Sequence, residues 1–142
     1  MIDFVPAQAW MANTIRLQPT QVLAGHKPTP EALAFAISRG SALACVRHGE
    51  IVALGGVMEH WPGRGELWGL LSGSIGADML LMHRAVLRGL QLVKHERLEA
   101  VVFEGHDEGH RWMAMLGFEA EGDMQNYWNG LTFTRYARVR RG

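Results

Sequence analysis

Between Gly65 and His83 the sequence passes through Leu67, Trp68 and Gly69 into Leu70, Leu71, Ser72, Gly73, Ser74, Ile75, Gly76 and Ala77, then Asp78. This reads as a strand entering a long helix through a Gly/Ser turn. Such a turn exposes backbone N–H groups at a helix N-terminus, where the helix dipole adds positive potential, so it can cradle a phosphate or pyrophosphate. The same spacing also serves as a plain strand-to-helix connector. No Lys or Arg lies between Gly65 and His83, and Asp78 puts negative charge where an anion would sit. Just upstream, Glu66 shares a strand face with Trp68 and Leu70 by period two. A carboxylate against aromatic and aliphatic surface beside a pocket is suited to general-base work; the alternative is a solvated charge at a strand end.

A second polar group is His106-Asp107-Glu108-Gly109-His110, with its histidines four apart on one prospective helix face. Two such histidines can ligate zinc, but the position after the first holds Asp107 where a zinc protease has Glu, and no third ligand follows. A polar first helical turn is the other reading, with Asp107 and Glu108 favoured there by the dipole. Cys45 is the single cysteine and sits in an apolar stretch, so it reads as a small buried hydrophobe. Arg135, Arg138, Arg140 and Arg141 crowd the C-terminus, either as a solvated end or as a contact for an acidic partner. Trp61, Trp68 and Trp112 are expected in core or pocket walls.

These groups are positioned by a chain of 142 residues, a length that fits one domain. Fourteen Lys and Arg balance fourteen Asp and Glu, which excludes a global field toward nucleic acid or membrane. No apolar run approaches the roughly 18 residues that span a bilayer, so a soluble cytoplasmic protein is expected. A strand over 2–5 and a helical segment over 6–11 open the chain, and 13–27 is poorly patterned. Thr29 and Pro30 then start a helix that Gly40 stops. Strands follow at 41–47, 51–60 and 66–71, with turns at 48–50 and 61–65, as an antiparallel meander. Met79, Met82, Val86, Leu90 and Val93 mark an amphipathic helix over 78–94. A strand at 97–104, a helix at 107–116 stopped by Gly117, and strands at 118–124 and 131–139 around a turn-rich 125–130 complete the order. The class is α/β or α+β: a mixed, mostly antiparallel sheet flanked by helices, with a parallel pair across the long-helix crossover.

The element order, the turn at 72–77 and the run Gly109-His110-Arg111-Trp112-Met113-Ala114-Met115-Leu116-Gly117-Phe118 resemble the GNAT superfamily of N-acetyltransferases over residues 28–139. Glu66-Leu67-Trp68 and Gly109-His110-Arg111-Trp112 are most similar to GNAT-like proteins encoded by tailed bacteriophages and prophages. The resemblance implies acetyl-CoA in a split between two parallel strands, with its pyrophosphate on an Arg/Gln-x-x-Gly-x-Gly/Ala loop. Here the Arg/Gln position falls on Leu71, the first Gly on Ser74 and the last on Gly76, so only the last matches. The usual proton-donating tyrosine falls on Met113, and the helix-opening Asn on His106. Glu66 stands where some members place the glutamate that takes a proton from the amine. The resemblance thus implies Glu66 as catalytic base, residues 70–77 as the acetyl-CoA site, N–H groups near Leu70 and Leu71 polarising the thioester, and His106 or His110 as substitute acid. The acceptor amine carries no motif. The competing expectation is a GNAT-fold phage protein that has lost transfer and has a virion-associated or assembly role, with a phage structural protein as partner through its arginine-rich end.

Overall fold

The structure, a computed structural model, describes residues 2–25 and 28–140. β1 (Asp3–Pro6) leads through a 3-10 turn (Ala9–Asn13) to α1 (Pro19–Leu23) and α2 (Pro30–Ser38). Then come β2 (Gly40–Arg47), β3 (Glu50–Trp61) and β4 (Arg64–Leu71), with α3 (Met79–Leu92) after a 3-10 turn (Gly76–Asp78). β5 (Arg97–Phe103), α4 (Asp107–Met115), β6 (Glu119–Trp128) and β7 (Leu131–Val139) close the chain. The strands form one sheet in the order β1-β2-β3-β4-β5-β7-β6.

Local chemistry accounts for most boundaries. Thr29 Oγ1 accepts the Ala32 N–H at 3.1 Å, and Pro30 fills the first helical position of α2. β2 and β3 join through His48 and Gly49, both at positive φ (49° and 78°), the two-residue turn whose twist suits a hairpin. Asn129 and Gly130 (φ 50° and 76°) do the same for β6 and β7. The turn-rich 125–130 is therefore mostly strand: β6 runs on to Trp128, and a register shift between Met124 and Trp128, with Asn126 at φ 51°, absorbs the irregularity. The 13–27 stretch hides α1, a five-residue helix with Pro19 at its start, too short for any period to register; residues 26 and 27 lie outside the described ones. The opening helical segment begins later, at Ala9, because Pro6 still belongs to β1.

Helix-connected β4 and β5 run parallel, but only Arg64↔Arg97, Gly65↔Leu98 and Glu66↔Glu99 pair. β4 stays on β3 as far as Leu71, and β5 stays on β7 as far as Phe103, so beyond Glu66 and Glu99 the sheet splits. Side chains alternate across it. Leu67 and Leu71 pack with α3, while Trp68 and Leu70 pack in the α2-side cluster with Leu33 and Leu54. Cys45 is buried, and burial with Asp78 nearby pushes its thiol up to about 11, consistent with a packing role.

At the closed end of the split Glu99 is 5% exposed and holds three arginines. Arg64 of β4 reaches it by two bonds (2.9 and 2.6 Å), Arg97 at 2.5 Å and Arg135 of β7 at 2.5 Å. Arg97 also pairs with Glu121 of β6. The arginine-rich end is thus built into the fold: besides Arg135, Arg138 donates to Leu90 O at 3.2 Å and Arg140 to Lys94 O at 3.4 Å. Arg141 lies outside the described residues. The hydrogen bond from Arg64, with Arg97 and Arg135 beside it, holds the Glu99 carboxyl down at about 2, against 4.5 ordinarily. A depressed carboxyl contributes stability above its unfolded pKa and loses it as pH falls through the folded value, here between about 4.5 and about 2. Glu99→Gln is expected to cost about 2–3 kcal/mol at pH 7. Urea unfolding across pH should show that deficit shrinking toward pH 2; a pH-independent deficit would assign the effect to packing.

Candidate functional site

The open end of the split is the mouth of a cavity of about 640 Å³ that crosses the sheet, lined by Glu66, Trp68, Gly69 and Leu71 of β4, Val101 and Phe103 of β5, Leu33 of α2, and Val86 and Gly89 of α3. Ser72 N–H bonds to Val52 O of β3. By the antiparallel alternation, Leu70 N–H faces β3 as well, whereas the polar groups of Gly69 and Leu71 face the split. Of the two amides named above, that of Leu71 faces the split and that of Leu70 faces β3.

That edge is engaged by Gln21, a buried residue of α1. Its Nε2 donates to Gly69 O at 2.9 Å, and its Oε1 accepts from Leu71 N–H at 2.7 Å. Its neighbour Thr20 bonds through Oγ1 to Nδ1 of His106, just beyond β5, at 2.9 Å. Consecutive residues of α1 thus grip both lips of the split. Gln18 N–H to Leu71 O (2.9 Å) and Gly73 N–H to Arg16 O (3.1 Å) continue the attachment.

The expected phosphate turn is largely tied to itself. Ser74 N–H donates to Ser72 Oγ at 3.1 Å and Ile75 N–H to Ser72 O at 3.2 Å, with Ser72 and Ile75 buried. Gly73, Ser74, Gly76 and Ala77 lie at the surface. Ser74 Oγ donates to Glu50 at 2.7 Å. The negative charge at Asp78 is met from an element the local sequence did not indicate: Arg47 of β2 reaches Asp78 Oδ2 at 2.5 Å and Ser74 O at 3.0 Å. A second cavity, of about 560 Å³, lies between this turn and α4, lined by Gly73, Gly76, His83, His106, Arg111 and Trp112.

On the α2 side, Glu66 Oε1 accepts from Nε2 of His60 at 2.8 Å, across the β3–β4 hairpin. Glu66 is one-third exposed and also acts electrostatically on Arg64, so it is neither isolated nor simply solvated. Two residues along, the Trp68 indole N–H is buried with no hydrogen-bond partner among the described residues. Trp112 lines both cavities and donates to His83 at 2.9 Å, whereas Trp61 is exposed, packed under the Arg64 guanidinium at 4.4 Å rather than in a wall.

The two histidines of α4 separate. His110 Nε2 faces only carbonyl oxygens, Phe103 O and Glu104 O at 3.0 Å, so it carries the proton and Nδ1 accepts from the Tyr136 hydroxyl at 2.7 Å. Both nitrogens are used. His106 lines both cavities, and burial lowers its pKa, keeping the imidazole neutral near pH 7. No group of three or more His, Cys, Asp or Glu gathers as a metal site among the described residues. Met113, at the position of the usual tyrosine, is core. Sequence reasoning missed Gln21, His60 and Arg47, each joined to its partner only by the sheet or by α1.

No protein-family model matches the chain, and no curated protein matches it. Solved structures do. The chain superposes on Ard1 from Thermoplasma volcanium with a TM-score of 0.80 at 11% identity, covering 99% of each chain. For the ribosomal-protein-S18-alanine N-acetyltransferase from Escherichia coli the TM-score is 0.78 at 13% identity, over 100% of this chain and 97% of that one. For a GNAT-family acetyltransferase from Streptococcus pneumoniae it is 0.74 at 15%, over 98% and 99%. The chain has the GNAT-like fold, with its mostly antiparallel seven-stranded sheet and one parallel pair.

Gln21→Ala removes two buried hydrogen bonds and bares the β4 edge, for an expected loss of about 1–3 kcal/mol in denaturant unfolding. A loss below a few tenths of a kcal/mol would mean that water replaces the amide freely.

Proposed function

We propose that the chain is an acetyl-CoA-dependent N-acetyltransferase whose donor thioester lies in the β4–β5 split. The observation that carries this reading is the carboxamide of Gln21 on the β4 edge: an acceptor oxygen on Leu71 N–H and a donor nitrogen on Gly69 O. A pantetheine amide or a thioester carbonyl can make the same contacts, so the donor enters by displacing Gln21. Leu71 N–H then polarises the thioester carbonyl. Leu70 to Ala77 form the donor site, with Gly76 and the Arg111 side chain, which line the second cavity, toward the pyrophosphate.

The amine approaches from the Glu66 face. Its nitrogen attacks the carbonyl carbon, the C–N bond forms, the C–S bond breaks, and Glu66 takes the amine proton directly or through water. His60, donating to Glu66 Oε1, fixes the carboxylate. Coenzyme A leaves as a thiolate past the neutral imidazole of His106 and is protonated by water; His110 has no free nitrogen for the task.

A second reading keeps the fold without transfer. Leu71 at the basic position of the turn, with Glu50 and Asp78 beside it, favours it. A tailed-phage or prophage origin, action in the host cytoplasm and a virion-associated role rest on the sequence resemblance alone. Thermal shift separates the two: acetyl-CoA or CoA at a hundred times its dissociation constant adds about 2.7 kcal/mol, several degrees in Tm. No shift with either coenzyme form would leave the second reading. Once an acceptor is found by thiol release against an amine panel, Glu66→Gln should bind acetyl-CoA normally and turn over at least about a hundredfold more slowly. Unchanged turnover would remove Glu66 from the mechanism.

A further inference from the structure

We propose that the donor site accepts acyl groups longer than acetyl, with the aliphatic tail in an apolar slot between α3 and the sheet. This rests on the acyl-CoA reading above and specifies the donor. The core beneath α3 is divided in two. One cluster gathers Val57, Leu90 and Leu98; the other gathers Cys45, Ala53, Leu71 and Met82; among the described residues only Val86 and Trp112 pack against both.

The division falls on a single row across the strands, Gly69↔Gly55↔Leu43. Gly69 lies between Leu67 and Leu71, so this row faces α3, and Ala85 and Gly89 of α3 line the same cavity. A Cβ added at Gly69 or Gly89 would meet no atom within 4 Å. Both positions are open to solvent, and a cavity of about 640 Å³ has the size of a small-molecule site.

The row starts beside Leu71 N–H, where the thioester carbonyl would sit. It spans two strand spacings, about 10 Å, the reach of a medium-length acyl chain. It ends at Leu43, which is 53% exposed, with Pro6 of β1 opposite it. Among the described residues no Lys, Arg or Asp lines the cavity, and the one carboxylate that does, Glu66, faces the opposite side of the sheet. The amine and the tail therefore approach from different faces. An apolar, unbranched chain matches the slot, and a charged acceptor does not.

Calorimetric titration with CoA, acetyl-CoA, butanoyl-CoA and octanoyl-CoA tests this without an acceptor. Each methylene entering the slot should raise affinity about three- to fourfold, so octanoyl-CoA is expected to bind at least about a hundredfold more tightly than acetyl-CoA. Gly89→Leu should abolish that gain and keep acetyl-CoA binding, whereas Gly89→Ala should keep both; each replaces a helical glycine and favours the helix. Equal or weaker binding of octanoyl-CoA than of acetyl-CoA, or an unchanged profile in Gly89→Leu, overturns the slot and leaves the acyl-CoA reading standing. Failure of all four compounds to bind overturns both.

Discussion

The buried carboxylate of Glu99 sets the geometry on which the site depends. A charge this deep is tolerated only when paired, and here the pairs are guanidinium groups from three strands. Arg64, the first paired residue of β4, is tied to Glu99, the last of β5, and Arg135 and the Arg97–Glu121 bridge bring β7 and β6 to the same point. Beyond the locked end of the parallel pair β4 stays on β3 and β5 stays on β7, and the two strands part. The opening begins where the ion cluster sits, and it places the free edge of β4 at the centre of the sheet.

A free strand edge inside a protein leaves backbone groups without partners, which is costly. The Gln21 side chain pairs Gly69 O and Leu71 N–H, and Gln18 N–H pairs Leu71 O. Because α1 is five residues long and also holds His106 through Thr20, its register on the split is fixed by two adjacent side chains. A ligand that brings its own amide can exchange with Gln21 at little net loss of hydrogen bonding. The period-two alternation of β4 puts Glu66 and Trp68 on one face and Gly69 on the other.

Much of the fold was legible in the sequence. The meander, the long helix, its parallel crossover and the Leu-Gly-Phe helix end all rest on local patterns of period and punctuation. The misreadings have physical reasons. α1 is too short to show a period, and the β6–β7 hairpin is announced by Asn129-Gly130, a signal outweighed by the polar residues before it. The site was half legible. Glu66 and the Gly/Ser turn stand out locally, but Arg47 on Asp78, His60 on Glu66 and Gln21 on β4 are contacts between residues 6 to 50 positions apart. The arginine-rich terminus looked like a solvated end because composition does not reveal that β7 lies inside the sheet, between β5 and β6.

The most direct measurement is an amide NMR titration of the 15N-labelled protein with acetyl-CoA. The result expected is that the largest shifts fall on Gly69, Leu71, Gly76 and Ala77, together with the side-chain NH2 of Gln21 as it leaves the β4 edge. Saturable binding that leaves the Leu71 amide and the Gln21 side chain unmoved would contradict the placement of the donor in the β4–β5 split.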